Sequence, residues 1–315
     1  MKRFLGFILG LTALAVLAAP ASAQNWPTQR VTIVVPFGAG SVTDILARIF
    51  AEDMGRKWGQ QVIVENRPGL AGTAGVAKAA PDGYTLMLTS NGHTVAGLVT
   101  KDAPFDPVKD FAGITRVGSA PLFLITSPEL PVKTLKDVID LAKKEPGKLN
   151  FSSPGLASTT FIAGALFRKA AGINIVHVPF RSAPDAVTAV MRNDAQLYFA
   201  PVNLARDQSQ AGKVKAIAAA TAKRIPEMQD TPTFTEAGLP YVYDSWFGLL
   251  APHAVPKPIL EKISKDWADA LKTPEMQEKL KKQFLVGVTD TPDAMDKIIK
   301  SETENLTRVF KEAGI

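Results

Sequence analysis

The stretch VTIVVPFGAGSVTDILARIFAEDM, Val31 to Met54, reads as a buried strand, a glycine-bearing turn and an amphipathic helix. Val31, Ile33, Val34 and Val35 form a short β-branched apolar run, the mark of a strand covered on both faces. Pro36 ends the run because it has no N–H to give to a ladder. Gly38 and Gly40 flank Ala39 and free the backbone for positive φ and close approach. Ile45, Leu46, Ile49 and Phe50 then recur at helical spacing. The first helical turn offers unbonded N–H groups and the positive end of a dipole, with the hydroxyls of Ser41 and Thr43 beside it. Asp44 falls in that first turn, where a carboxylate is favourable. A strand that delivers a flexible turn to a helix N-terminus is suited to hold a small anion.

The pattern continues outward. Gln61 to Glu65 reads as a second strand, and a small-residue helix follows through Lys78. Tyr84 to Thr89 reads as a third strand, running into Ser90-Asn91-Gly92-His93-Thr94. Strand, helix, strand, helix, strand implies a parallel sheet with right-handed crossovers. Phe111 to Thr126 is strand-like with a break near Gly118 to Pro121, and Thr134 opens a helix through Lys144. The α/β alternation then repeats: strand Leu149 to Ser153, helix Phe161 to Ala170, strand Ile175 to Pro179, helix Asp185 to Arg192, strand Gln196 to Ala200 and strand Lys215 to Thr221. Tyr241 to Ala251 is aromatic-rich and extended. The tail is helical over Pro258 to Leu271, Pro274 to Phe284 and Pro292 to Glu312. Two α/β domains are expected, 24–120 with 247–315 as a discontinuous first and 121–246 as the second. The crossovers fall near 111–124 and 243–251, and the helical tail returns to the first domain.

Composition narrows the function. The chain of 315 residues has no Cys and only three His, which removes disulfides, zinc thiolates and thiol catalysis and disfavours a histidine-rich metal site. Lys2 and Arg3, the apolar run Phe4 to Leu17 and Ala21-Ser22-Ala23 form an export signal, residues 1–23, with the cut expected before Gln24. The alternative is an uncleaved N-terminal anchor helix. Without Lys2 and Arg3 the formal charge of +6 becomes +4. That surplus fits anionic ligands, and no basic run with interleaved aromatics argues for nucleic acid. An exported protein, periplasmic by this reading, works without ATP or a reduced nicotinamide pool.

Several stretches carry chemistry. Gly38 to Thr43 nearly matches a dinucleotide fingerprint, with Glu65 at the ribose position, yet Thr43 stands where the third glycine belongs. A small-anion turn is favoured over that reading and over a purely structural turn. Ser90, Asn91 and His93 follow one strand. Ser153, Gly155, Ser158, Thr159 and Thr160 follow another, and Pro201 and Asn203 a third, at the sheet edge where open α/β folds bind ligands. The hydroxyls serve equally as caps for the helix near Phe161. Arg181 is either solvated or a bidentate clamp on a carboxylate. Trp246 and Phe247 either wall a cleft or pack in the core. His177 lies within an apolar strand and reads as structural. No G-x-S-x-G elbow and no converging metal cluster occurs.

Val35-Pro36-Phe37 with Asp44 and Ala47-Arg48 resembles the opening of the Bug substrate-binding proteins of tripartite tricarboxylate transporter systems. Val64 to Gly69, Pro81 to Leu86, Pro146 to Asn150, His177 to Phe180, Pro232-Thr233, Glu236 to Gly238 and Trp246 to Pro252 continue the likeness along the mature chain. The resemblance implies a two-domain α/β periplasmic binding fold, type II-like, each domain a mixed sheet flanked by helices with the ligand in the interdomain cleft. It implies small organic carboxylates as ligands and transporter membrane subunits as partners of a monomeric carrier without cofactor. The chain departs from the pattern at Ala39-Gly40-Ser41, at Phe161 in place of a frequent His, and at Arg181-Ser182. Phe37 and Phe161 are compatible with an aromatic acid.

The expected activity is capture of a small aliphatic or aromatic carboxylate for a membrane transporter. The alternatives are a ligand sensor acting on a membrane receptor and an exported hydrolase using the same cleft. Phe37 to Thr43 and Ser153 to Thr160 are expected to face each other across the cleft and share one carboxylate.

Overall fold

The computed structural model describes residues 25–100, 103–156, 158–243 and 245–312. The expected leader, residues 1–23, and the cut before Gln24 lie outside them. The first sheet begins with β1 (Val31–Val35), α1 (Val42–Trp58), β2 (Val62–Asn66), α2 (Leu70–Ala77) and β3 (Thr85–Ser90). β1 pairs parallel with both β2 and β3, as the alternating pattern predicts. A 3₁₀ turn over Asn91–Val95 and α3 (Ala96–Val99) lead to β4 (Phe111–Ser119).

The chain then enters a second sheet. It comprises β5 (Leu122–Thr126), α4 (Leu135–Lys144), β6 (Asn150–Ser153), α5 (Thr159–Ala171), β7 (Val176–Pro179), α6 (Ala183–Met191), β8 (Leu197–Pro201), α7 (Val202–Gln210) and β9 (Lys215–Ala219). Here β6 lies parallel to β7 and β8, and β5 runs antiparallel to β8 and β9. The return is made by β10 (Trp246–Pro252), followed by α8 (Lys257–Ala270), α9 (Pro274–Lys282), β11 (Val286–Gly287) and α10 (Pro292–Glu312). The sheet orders are β11-β4-β10-β3-β1-β2 and β7-β6-β8-β5-β9. Because β10 is antiparallel to β3 and β4, the first sheet is mixed.

Local chemistry explains the elements. Every residue of β5, β8 and β10 is buried, so these strands are continuous apolar runs without polar alternation. α1 starts at Ser41, whose hydroxyl accepts the Asp44 N–H, and ends at Gly59 in the left-handed region. α4 carries a full capping box between Thr134 and Asp137. Short α3 and the longer α7 were not legible: α7 runs through ARDQSQ and buries only Val202 and Ala205, too thin an apolar stripe to announce itself. Only Trp246 onward of the predicted 241–251 extension joins a sheet.

The two sheets have separate cores. Leu46, Phe50, Ile114, Phe247 and Trp267 belong to the first, and Leu124, Phe151, Phe167, Phe199 and Phe234 to the second. α10 takes part in both. Its Met295 and Ile299 pack with Trp246 and Leu250, whereas Leu306 and Phe310 pack in the core around Phe161. No helix among the described residues is long and apolar enough to cross a membrane.

Candidate functional site

The carboxyl ends of β1, β2, β3, β6 and β7 converge on one cavity of about 300 Å³ between the two sheets. This is the edge at which open α/β sheets take ligands.

The first sheet supplies one wall. After Val35 the chain turns through Pro36 and Phe37, both on the lining. Asp44 sets this turn. Its carboxylate accepts the Gly40 N–H at 3.0 Å, Arg48 Nε at 3.1 Å and Asn66 Nδ2 at 3.0 Å. Asn66 Nδ2 also donates to the Phe37 carbonyl at 3.1 Å, tying the end of β2 to the turn after β1. Burial alone would raise the Asp44 pKa; the hydrogen bonds from Arg48, Gly40 and Asn66 outweigh it and hold the carboxyl below its usual value. The Gly69 N–H donates to the Pro36 carbonyl at 3.1 Å, which brings Pro68, Gly69 and Leu70 beside Phe37. α2 therefore starts at the cavity, and its N-cap Gly69 offers no side-chain acceptor to the first N–H groups. Thr73, one turn on, also faces the space.

β3 and the turn after it add Thr89, His93, Ala96 and Thr100, and Phe105 follows. His93 is 2% exposed. Its Nε2 lies 2.9 Å from the Pro107 carbonyl, and since a carbonyl only accepts, the proton sits on Nε2. Burial pushes the ring pKa down to about 4, so His93 is neutral at pH 7. It stacks on Phe105 with an interplanar angle of 2°.

The second sheet supplies the facing wall through Pro154, Gly155, Leu156, Pro179 and Arg181. Ser153 Oγ accepts the Gly155 N–H at 3.1 Å, and Ser158 Oγ donates to the Gly155 carbonyl at 2.7 Å while capping α5 through the Phe161 N–H. These serines hold the Gly155 turn. Ser153 Oγ also lies 2.7 Å from His177 Nε2. Arg181 is exposed at the rim and makes no ion pair or hydrogen bond with another described residue. A Cβ on Gly38 would stand 3.3 Å from Ser182 Cβ, and one on Gly40, whose φ is +79°, 4.0 Å from Pro184 Cγ. The first turn thus rests on the Arg181–Pro184 segment.

Of the residues singled out from sequence, Phe37, His93, Gly155 and Arg181 line the cavity. Gly38, Ala39, Gly40, Ser41, Thr43 and Asp44 belong to the turn and cap behind Phe37. Ser90 caps the 3₁₀ turn by accepting the Gly92 N–H. Asn91 and Thr159 meet elsewhere: Asn91 Nδ2 donates to Tyr243 Oη at 2.8 Å, and Thr159 Oγ1 lies 3.1 Å from the same oxygen. Asn91 Nδ2 reaches Glu302 Oε1 at 3.2 Å as well, and Trp246 Nε1 donates to Glu302 Oε2 at 2.6 Å. Thr160 lies 3.2 Å from Ser158 Oγ. Phe161 is a core residue against Phe151, His177 and Phe310, so its bulk is not presented to the cavity. Pro201 ends β8 opposite Leu122, and Asn203 lies in α7; neither is on the lining. Trp246 and Phe247 are buried in the core rather than walling the cleft.

Sequence reasoning missed Pro68, Gly69, Leu70 and Thr73, although the rule applied to β1 and β3 applies equally to the end of β2. Pro154, Leu156 and Pro179 sat beside residues that were named. Thr100 and Phe105 lie on a return segment with no periodic signal. No group of His, Asp and Glu among the described residues is placed to hold a metal ion.

The family described as tripartite tricarboxylate transporter family receptor, TctC, matches residues 46–315. Protein BugT of Bordetella pertussis is 30% identical, with 100% of this chain and 98% of BugT covered. Rpa4515 of R. palustris, solved with adipate, superposes with a TM-score of 0.85 at 30% identity over 92% of this chain and 99% of its own. MatC from Rhodopseudomonas palustris, solved with bound malate, gives 0.82 at 28% identity over 90% and 99%. This chain therefore belongs to the TctC family of solute-binding proteins, carries its two-domain α/β periplasmic binding fold, and is a binding protein, not an enzyme.

Proposed function

We propose that this protein captures a small organic carboxylate in the cavity between its two sheets and delivers it to the membrane subunits of a tripartite transporter. The observation that carries the reading is the convergence of five strand ends on one cavity with Arg181 at its rim. A guanidinium with no ion-pair partner among the described residues is suited to a carboxylate through a pair of parallel hydrogen bonds. The uncapped start of α2 adds N–H groups of the same preference. Adipate in Rpa4515 and malate in MatC support the ligand class.

The chain is proposed to be exported, with cleavage before Gln24, and to act as a monomer. Its division into 24–120 plus 247–315 and 121–246 is supported by the sheets, since the chain leaves the first after Ser119 and rejoins it at Trp246. α10 departs from that division, as its last turns pack with the second core. The test is a thermal-shift screen against aliphatic and aromatic acids, since a ligand at 100 times its Kd adds about 2.7 kcal/mol of stability. A clear rise with an acid, and recovery of that acid chemically unchanged, is expected. No rise with any acid would overturn the reading.

A further inference from the structure

We infer that the preferred ligand is a monocarboxylate with an apolar body, such as an aromatic acid, rather than a dicarboxylate. This rests on the reading of the cavity as a carboxylate site and concerns what the cavity walls accept. The lining is mostly carbon. Phe37 and Phe105 line it from the first sheet's side, and Pro154 and Leu156 from the second. Phe105 is held by stacking on His93 and by edge contact with Phe111, so it is a rigid wall rather than an adaptable one. Rigid apolar walls favour an apolar body of matching size, and the volume of about 300 Å³ lies at the small end of ligand sites.

Charge on the lining is scarce. Among the described residues, Arg181 is the one Lys, Arg, Asp or Glu on the lining, at the rim, and it matches one carboxylate. His93 adds no cation at pH 7, because its Nε2 proton is committed to the Pro107 carbonyl and its burial opposes protonation. The polar groups that remain are the hydroxyls of Thr73, Thr89 and Thr100 and the first N–H groups of α2. The amides offer about half a unit of charge against the full unit of a second carboxylate. A second carboxylate would be desolvated against prolines and phenylalanines, and an uncompensated buried charge is costly. An apolar body gives up nothing there. The ligand is accordingly oriented with its carboxylate toward Arg181 and its body between Phe37, Phe105 and Leu156.

Titration calorimetry of the mature protein at pH 7 with benzoate, phenylacetate, malate, adipate and benzamide tests this. Benzoate or phenylacetate should bind at least about 10-fold more tightly than either diacid, and benzamide should bind weakly or not at all. Phe105→Leu should weaken the aromatic acids more than it weakens adipate. Diacids binding as tightly as the monoacids would overturn this inference and leave the carboxylate reading standing. Benzamide binding as well as benzoate, or no acid binding at millimolar concentration, would overturn both.

Discussion

Asp44 does more for the site than the residues it serves. It is 3% exposed and accepts hydrogen bonds from Gly40, Arg48 and Asn66, and through Asn66 it fixes the carbonyl of Phe37. Asp44→Ala leaves the Gly40 N–H without its acceptor and takes one of two acceptors from the Asn66 amide, so a loss of about 1–3 kcal/mol is expected in denaturant unfolding. Acid binding should weaken alongside, because Phe37 loses its support. The Asp44 carboxyl is held below its usual value, so its stabilisation is present above the unfolded pKa of about 4 and is lost as pH falls through the folded value. His93 acts at higher pH and with the same net direction. Its ring is held neutral down to about pH 4, whereas the unfolded chain takes up the proton near 6.5. Between those values the unfolded state binds more protons, and up to about 3 kcal/mol of stability is lost on acidification. His93→Gln keeps a donor for the Pro107 carbonyl and removes that titration. Thermal unfolding from pH 7 to pH 4 should therefore be flatter for the variant than for the parent, and parallel curves would show that His93 is not responsible.

The elements around the site were legible in unequal degree. β1, α1, β2, α2 and β3 follow directly from a β-branched run, glycine turns and helical spacing, and the structure places each within a few residues of its reading. The cap residues were also visible as residue types. What sequence could not decide was whether Ser41, Ser153, Ser158 and Thr159 spend their hydroxyls on the backbone or on a ligand, because both uses demand the same residues in the same places. In the structure they serve caps, the Gly155 turn and Tyr243. Phe161 misled for a different reason: it stands where the resembled family often has a His, which suggested the cleft, but the facing of a helix residue depends on what packs against it. α5 packs so closely that Gly164 has no room for a side chain, since an added Cβ would lie 2.4 Å from Phe151 Cε2. Gly164→Ala gains about 1 kcal/mol of helix propensity. Overpacking costs about 1–3 kcal/mol, and the Phe151 ring is itself packed against Phe161 and His177. A net loss of up to about 2 kcal/mol is expected by chemical denaturation, and a stabilised variant would show that α5 and β6 are free to separate.

At the scale of the whole molecule, two sheets meet over the cavity and are joined by more than the chain crossovers. The Asn91–Tyr243–Thr159 bonds link the turn after β3 to the start of α5, and Glu302 of α10 meets Asn91 and Trp246 in the same region. α10 then ends with Phe310 against Phe161. Phe310→Ala should cost about 3–5 kcal/mol although it lies near the chain end, because it empties part of the second core. A loss below about 1 kcal/mol in equilibrium unfolding would show that the last turns of α10 are not needed. The first turn rests on the Arg181–Pro184 segment, so loops of the two sheets touch beside the cavity. Solution scattering should show the unliganded protein more open than the acid-bound one. The central claim is that one small acid is held by both sheets at once. A crystal structure grown with the tightest acid of the calorimetric panel tests it most directly. The acid should lie between the ends of β1–β3 and β6–β7, its carboxylate on Arg181 and its body on Phe37 and Phe105. An acid bound anywhere else, or touching only one of the two sheets' loops, would contradict it.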